Sequence, residues 1–138
     1  MYAKCNELEI PVSMQVGHSA EPLPSWKGHP MDIDEVVLDF PNLKINLSHT
    51  GWPWIDEWCS VIWKHPNVYG DISAYMPKGL DPAILRFMNG SRGRHKIMFG
   101  SNGLGLEACI KQFQALDLKE ETIRRVLSEN ARDFLALK

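Results

Sequence analysis

The amino-acid sequence predicts an α/β fold built on a parallel sheet. Four short apolar segments recur along the chain, and each is followed by a loop and then by a segment whose apolar residues have helical spacing. Strands that alternate with helices in this way form βαβ units and a parallel sheet. A polar residue stands at or near the end of each apolar segment, at the sheet edge where α/β proteins place their functional sites.

The predicted elements follow one another in a regular order. The strands are expected at 10–16, 43–48, 67–73 and 96–101, and their near-continuous apolar character is typical of strands covered on both faces. Pro53 is expected in the first helical turn of the second helix, and Asp81 is expected to cap the third. The helices are expected at 32–40, 53–65, 81–89, 106–115 and 119–137, the last being an extra terminal helix.

Length and composition describe one domain covering 1–138, with 44% hydrophobic and 23% charged residues. A net charge of −2 without any basic run argues against nucleic acid or an anionic membrane as a partner. No apolar run reaches the ~20 residues of a membrane span, and the charged N-terminal segment does not resemble a signal peptide. Cys5, Cys59 and Cys109 are far apart, as expected for reduced thiols. We therefore expect a soluble, cytoplasmic protein.

Four polar residues mark the ends of the four predicted strands: His18, His49, Asp71 and Asn102. The carboxyl ends of parallel strands share one edge, so these side chains are expected to converge. Imidazole is a good ligand for Zn²⁺, and a metal bound there would make hydroxide available at neutral pH. Two histidines and a carboxylate therefore indicate a candidate hydrolytic metal site, with His18 and His49 as metal ligands.

Simpler interpretations stay open for the same residues. The two histidines can be hydrogen-bonded rim residues, and Asp71 can cap a turn. His29, His65 and His95 are interpreted as solvated surface residues. The tryptophans between 52 and 63 are interpreted as packing of a loop and a helix rather than an aromatic cage. The segment "GSNGLG" resembles a phosphate-binding loop but lacks the full glycine pattern.

Four motifs, taken in their order along the chain, give a more specific indication of the protein family. The segments "FPNLKINLSHTGWPW", "HPNVYGDISAY", "RGRHKIMFGSN" and "ENARDFLAL" together resemble the C-terminal part of the amidohydrolase-related family. The resemblance implies the C-terminal half of a distorted TIM barrel: four β/α units with an extra terminal helix. It also implies metal-dependent hydrolase, decarboxylase or hydratase chemistry on a small organic acid, lactone or amide, with Zn²⁺ as the expected ion.

The resemblance assigns roles to individual residues. His18 resembles the metal-ligand histidine that ends the fifth barrel strand, and His49 the histidine of the sixth, which contacts metal or substrate. Asp71 would end the seventh strand, and the catalytic residues are expected to be His49, Asp71 and Asn102. Asn102 stands where the family usually has an aspartate that binds the metal and acts as a base.

Two departures from the family pattern affect the expected function. A TIM barrel takes ~250 residues, and this chain lacks the first four strands with their H-x-H metal-binding pair. Asn102 is an amide, which carries no charge and takes no proton at neutral pH. We therefore expect weak or absent metal binding by the chain alone. The alternative to an enzyme is a non-catalytic half-barrel that serves binding or assembly.

The predicted sheet also raises the question of assembly. Four parallel strands leave two open edges and an inner face that a complete barrel would bury, and the sequence predicts that this face is apolar. Two copies would supply the eight strands of a closed barrel. We therefore expect a homodimer or a complex with an N-terminal half-barrel, acting on a small-molecule substrate.

Overall fold

The computed structural model describes residues 1–137 and contains the predicted parallel sheet. The strands are β1 (Val12–Gln15), β2 (Ile45–Ser48), β3 (Val68–Asp71) and β4 (Ile97–Met98), hydrogen-bonded in the order β1-β2-β3-β4. Each pairing is parallel, and Gly70 of β3 lies opposite both Leu47 of β2 and Ile97 of β4. Because strands that follow one another in sequence are also neighbours in the sheet, the α/β prediction is confirmed.

The helices lie close to the predicted positions. A π-helical segment, Arg125–Glu129, joins the last two helices, so the extra terminal helix is continuous. Asp81 caps its helix as predicted, because its Oδ1 accepts a hydrogen bond from the Ala83 backbone N–H at 2.7 Å. Pro53 instead lies before its helix, and the first helix was not predicted. The helices are α1 (Tyr2–Glu7), α2 (Ile33–Asp39), α3 (Ile55–Lys64), α4 (Pro82–Asn89), α5 (Leu106–Gln114), α6 (Glu120–Arg124) and α7 (Asn130–Leu135).

The strands are shorter than predicted, and their two faces differ in chemistry. The outer face packs against helices: Trp58 of α3 donates from its indole N–H to the Leu47 carbonyl at 3.0 Å. A side chain at Gly70 would collide with the Trp58 ring, so glycine permits this close packing. Apart from Met98, the inner face is polar, which contradicts the predictions of near-continuous apolar strands and of an apolar inner face. Its residues are Ser13, Gln15, Asn46, Ser48, Tyr69, Asp71 and Met98.

The terminal helix α7 secures the amino edge of the sheet. The Phe134 ring lies 5.2 Å from the Tyr69 ring, and the Asp133 carbonyl accepts a hydrogen bond from Lys44 at 2.5 Å. The Asn130 amide donates to the Ile97 carbonyl at 2.6 Å. Since Lys44 immediately precedes β2, these contacts hold the end of the sheet opposite to the one where the predicted site residues gather.

The histidines outside the predicted site do not all lie at the surface. His65 is 5% exposed, and its Nε2 lies 2.6 Å from Asp34 Oδ1, so its interpretation as a solvated residue was wrong. It follows the last residue of α3 and joins α3 to α2 through this contact. His29 is half-buried, and its Nδ1 accepts a hydrogen bond from the Met31 N–H. His95 is exposed, as predicted.

Most of the buried apolar residues of the helices belong to the hydrophobic core of the fold. Within residues 1–137, none of the helices combines the length and apolar character needed to cross a membrane.

Cys109 is buried and the other two cysteines are half-buried, and all three are free thiols. Of the tryptophans between 52 and 63, Trp58 is fully buried, whereas Trp52 and Trp63 are about half exposed.

Candidate active site at the carboxyl edge

The Asp71 carboxylate is the centre of a hydrogen-bond network at the end of β3. Its Oδ2 accepts from the Asn46 amide at 2.7 Å and from the Ser48 hydroxyl. Its Oδ1 accepts from the Ser73 backbone N–H at 3.0 Å and from the Ser73 hydroxyl. Asp71 is only 7% exposed, so these donors take the place of water around the carboxylate.

His49 joins this network through Ser73. Its Nδ1 contacts the Ser73 hydroxyl and lies 3.8 Å from Asp71 Oδ1. His49 directly follows the last residue of β2, and Asp71 is the last residue of β3, so the parallel pairing of these strands brings the two residues together. The sequence prediction that His49 and Asp71 converge at one edge is therefore realised in the structure.

The surroundings of Asp71 favour its ionised form. Burial works to raise the pKa of Asp71, but the nearby His49 imidazole and the three surrounding donor side chains lower it by more. The net direction of the pKa is downward, so Asp71 is a carboxylate at neutral pH. Both of its oxygens already accept hydrogen bonds, and its predicted catalytic role stays a prediction.

Within residues 1–137, His18 forms hydrogen bonds with Gln15 and Trp52, and none joins it to this network. Strand β1 ends at Gln15, so His18 lies in the loop that follows rather than at the strand end. Its side chain is exposed, and its ring packs edge-on against Trp52 at 4.8 Å. Its backbone N–H donates to the Trp52 carbonyl at 2.9 Å. The inner-face position at the end of β1 belongs to Gln15.

Asn102 also lies in a loop, four residues beyond the end of β4. Its side chain is exposed, and its φ of 49° places it in the left-handed region, which asparagine tolerates well. The structure shows no hydrogen bond from the Asn102 side chain to any of residues 1–137. Its predicted catalytic role stays a prediction.

The donor set at this edge fits a divalent metal only in part. In the part of the chain that the structure describes, no group of three or more His, Cys, Asp or Glu side chains is placed to hold a metal ion. His18 and His49 offer imidazole nitrogens, the ligands that zinc prefers, whereas catalytic zinc sites use three protein ligands. The assignment of His18 and His49 as ligands stays a prediction, and a complete set needs donors beyond these two.

Sequence reasoning missed the side chains that support the site. Asn46, Ser48 and Ser73 were not singled out, yet all three donate to Asp71. Ser13, the β1 neighbour of Asn46, accepts from its amide at 3.0 Å. The available signal was the alternation of polar and apolar residues within "INLS", which places Asn46 and Ser48 on the same face as each other.

Comparison with known proteins identifies the family. The sequence profile of the amidohydrolase family matches residues 1–137. An uncharacterized TIM-barrel protein from Bordetella bronchiseptica is 30% identical, with a TM-score of 0.85 over 98% of this chain and 48% of that one. No curated protein matches the chain.

More distant solved structures share the fold. Dihydroorotase from Campylobacter jejuni is 18% identical, with a TM-score of 0.71 over 99% of this chain and 50% of that one. A dihydroxybenzoic acid decarboxylase from Polaromonas, solved with manganese and an inhibitor, is 16% identical. Its TM-score is 0.66 over 99% of this chain and 52% of that one. The chain thus spans about half the length of these barrels, which confirms the half-barrel prediction. By its sequence profile and its fold, the chain belongs to the amidohydrolase family.

Proposed function

We propose that this chain provides the C-terminal half of a metal-dependent hydrolase or lyase barrel that acts on a small organic acid, lactone or amide. The observation that carries the proposal is His49 at the carboxyl edge of the sheet, held through Nδ1 by the Ser73 hydroxyl, which in turn contacts Asp71. Membership of the amidohydrolase family supports it. The structural neighbours include both a decarboxylase and a dihydroorotase, so both reaction classes belong in the proposal.

The residues of this chain have separate tasks in the proposed reaction. His18 and His49 are the side chains that would hold a divalent ion, which supplies an activated water or a polarised carbonyl when bound. His49 is the group at the edge that can accept or return a proton. Asp71 stays ionised and orients the network, and Asn102 offers an amide that can donate a hydrogen bond to a substrate oxygen.

Turnover measurements with matched histidine variants test the proposal. The purified chain, supplied with Zn²⁺ or Mn²⁺, is assayed against aromatic carboxylic acids, lactones and cyclic amides. We expect turnover in one of these classes, and a loss of about 10²–10⁴-fold in His49→Gln. His95→Gln is the control, because His95 is exposed and away from the site. Turnover that survives His49→Gln would contradict the proposal, and so would the absence of turnover in every class by a chain that assembles as a homodimer.

We also propose that four further parallel strands complete the barrel, supplied by a second copy of the chain or by an N-terminal half-barrel. Val12 N–H and Val16 N–H bond to carbonyls on the β2 side, so the alternate amide of Gln15 points towards the open edge of β1. On the inner face, the buried Asn46 Oδ1 has no hydrogen-bond partner among residues 1–137. Both features suit a partner that brings hydrogen-bonding groups to this sheet.

Sedimentation equilibrium at micromolar concentration tests the assembly. A homodimer has twice the 15.7 kDa mass of the chain. Gln15→Pro removes the open-edge N–H and should dissociate the dimer, whereas Gln15→Ala keeps that N–H and should leave the mass unchanged. A monomer with a rapidly exchanging Gln15 amide would exclude a second copy and leave an N-terminal half-barrel as the proposed source of strands. A monomer in which this amide is protected from exchange would contradict both sources.

A further inference from the structure

We propose that Ser73 is a positioning residue that holds His49 in the Nδ1–H tautomer, which leaves the lone pair on Nε2. The functional meaning of this inference rests on the proposed function, since Nε2 is then the nitrogen able to accept a proton or bind a metal ion. Its physical content depends only on the contacts among His49, Ser73 and Asp71, so it can be tested without turnover.

The Asp71 carboxylate meets Ser73 as a hydrogen-bond acceptor. An ionised carboxylate has acceptor sites and no proton to donate. The polar neighbours of Asp71 within the described residues all meet it as donors: the Asn46 amide, the Ser48 hydroxyl, and the N–H and hydroxyl of Ser73. The proton in the contact between Ser73 Oγ and Asp71 Oδ1 therefore belongs to the serine.

The single proton of the Ser73 hydroxyl decides how this group meets His49. Ser73 has one hydroxyl proton, and the contact with Asp71 uses it, so any further contact of Ser73 Oγ must be as an acceptor. The further contact is with His49 Nδ1. Nδ1 must therefore carry a proton, and in a neutral imidazole the lone pair then lies on Nε2.

Asp71 does not hold His49 Nδ1 directly. His49 Nδ1 lies 3.8 Å from Asp71 Oδ1, which is beyond hydrogen-bond distance. Ser73 bridges the gap, and its position is fixed because its backbone N–H also donates to Asp71 Oδ1 at 3.0 Å. Without the Ser73 hydroxyl, His49 Nδ1 would lose its hydrogen-bond partner, and contact with water would favour the Nε2–H tautomer of a neutral histidine.

Nitrogen-15 NMR of the whole chain tests the inference, because the two ring nitrogens have distinct shifts and couplings in each tautomer. Spectra are recorded at about pH 8, where an ordinary histidine is neutral. We expect wild-type His49 to show a protonated Nδ1. In Ser73→Ala the signals should move to those of the Nε2–H form, while His95 stays unchanged as an internal reference.

Ser101→Ala is the matched control. It removes a hydroxyl in the neighbouring loop that makes no hydrogen bond within residues 1–137, so the His49 signals should stay as in the wild type. A wild-type His49 protonated at Nε2, or a Ser73→Ala variant with unchanged His49 signals, would overturn the inference. If Ser73→Ala does not fold, the wild-type spectrum still decides. Failure of the turnover assay would leave the NMR result unaffected, so the two proposals fail separately.

Discussion

Replacing Asp71 with alanine is expected to lower the free energy of unfolding by at least about 1–3 kcal/mol, the cost of leaving a buried donor without its partner. Asp71 is 7% exposed and accepts hydrogen bonds from Asn46, Ser48 and Ser73. The substitution leaves these donors facing a cavity rather than water. Urea unfolding, followed by tryptophan fluorescence, measures the change, because the fully buried Trp58 becomes exposed on unfolding.

Asp39→Ala is the control for this experiment. Asp39 is the last residue of α2, is exposed, and forms no ion pair within the described residues. Its substitution should change the free energy of unfolding by less than about 0.5 kcal/mol. Equal effects of the two substitutions would show that Asp71 contributes no more to the stability of the fold than an exposed aspartate does.

The contribution of Asp71 should also depend on pH in a defined direction. The pKa of Asp71 is lowered in the folded state, since the His49 imidazole and the surrounding donors outweigh the effect of burial. A lowered folded pKa adds stability that is fully present above the unfolded value of about 3.9 and is lost as the pH falls through the folded value. The difference between wild type and Asp71→Ala should therefore be constant near neutral pH and shrink below about pH 4. A difference that grows on acidification would contradict this assignment.

The fold was predictable because its signals are local. Asp81 followed by Pro82 marks a helix start by chemistry that acts within one turn, and the structure has that cap. The chemistry of the two sheet faces was not predicted, because Met14 in β1 and Leu47 in β2 give their strands a high average hydrophobicity whether or not the residues alternate. Only the pairing of β1 with β2 shows that Ser13 and Asn46 lie side by side on the inner face.

The candidate site was predictable to a smaller extent. His49 and Asp71 were found because each stands next to a strand end, and that position alone brings them to one edge. Ser73 was missed because its role depends on a contact across two strand ends, which no spacing within the sequence reveals. His18 was placed at a strand end because Val16 and Gly17 extend the apolar run, whereas the paired strand stops at Gln15.

Asn102→Asp is expected to raise turnover by about 10²–10⁴-fold, the usual contribution of a general acid–base group. The substrate is the class for which the proposed assay detects turnover. The position resembles the one at which related enzymes have a metal-binding aspartate, and the substitution restores a charge and a proton acceptor. Asn102 is exposed with a φ of 49°, a conformation that aspartate shares with asparagine, so the fold should be unaffected.

Calorimetric titration with Zn²⁺ gives a second, independent measurement of the same substitution. For the wild-type chain we expect weak, substoichiometric binding, because His18 and His49 are fewer ligands than a catalytic zinc site requires. Asn102→Asp should tighten binding, because a carboxylate adds the missing kind of ligand. A wild-type one-to-one complex that survives dialysis would contradict this expectation and would require ligands beyond the two histidines.

Ser101→Asp separates the position of the new carboxylate from its charge. It adds the same charge to the same loop, one residue earlier, and should leave Zn²⁺ affinity and turnover near the wild-type values. Equal gains in both variants would mean that a general electrostatic attraction, rather than a ligand at position 102, is responsible. If Asn102→Asp instead lowers turnover, the amide itself takes part by donating a hydrogen bond to the substrate, because a carboxylate at neutral pH can only accept one.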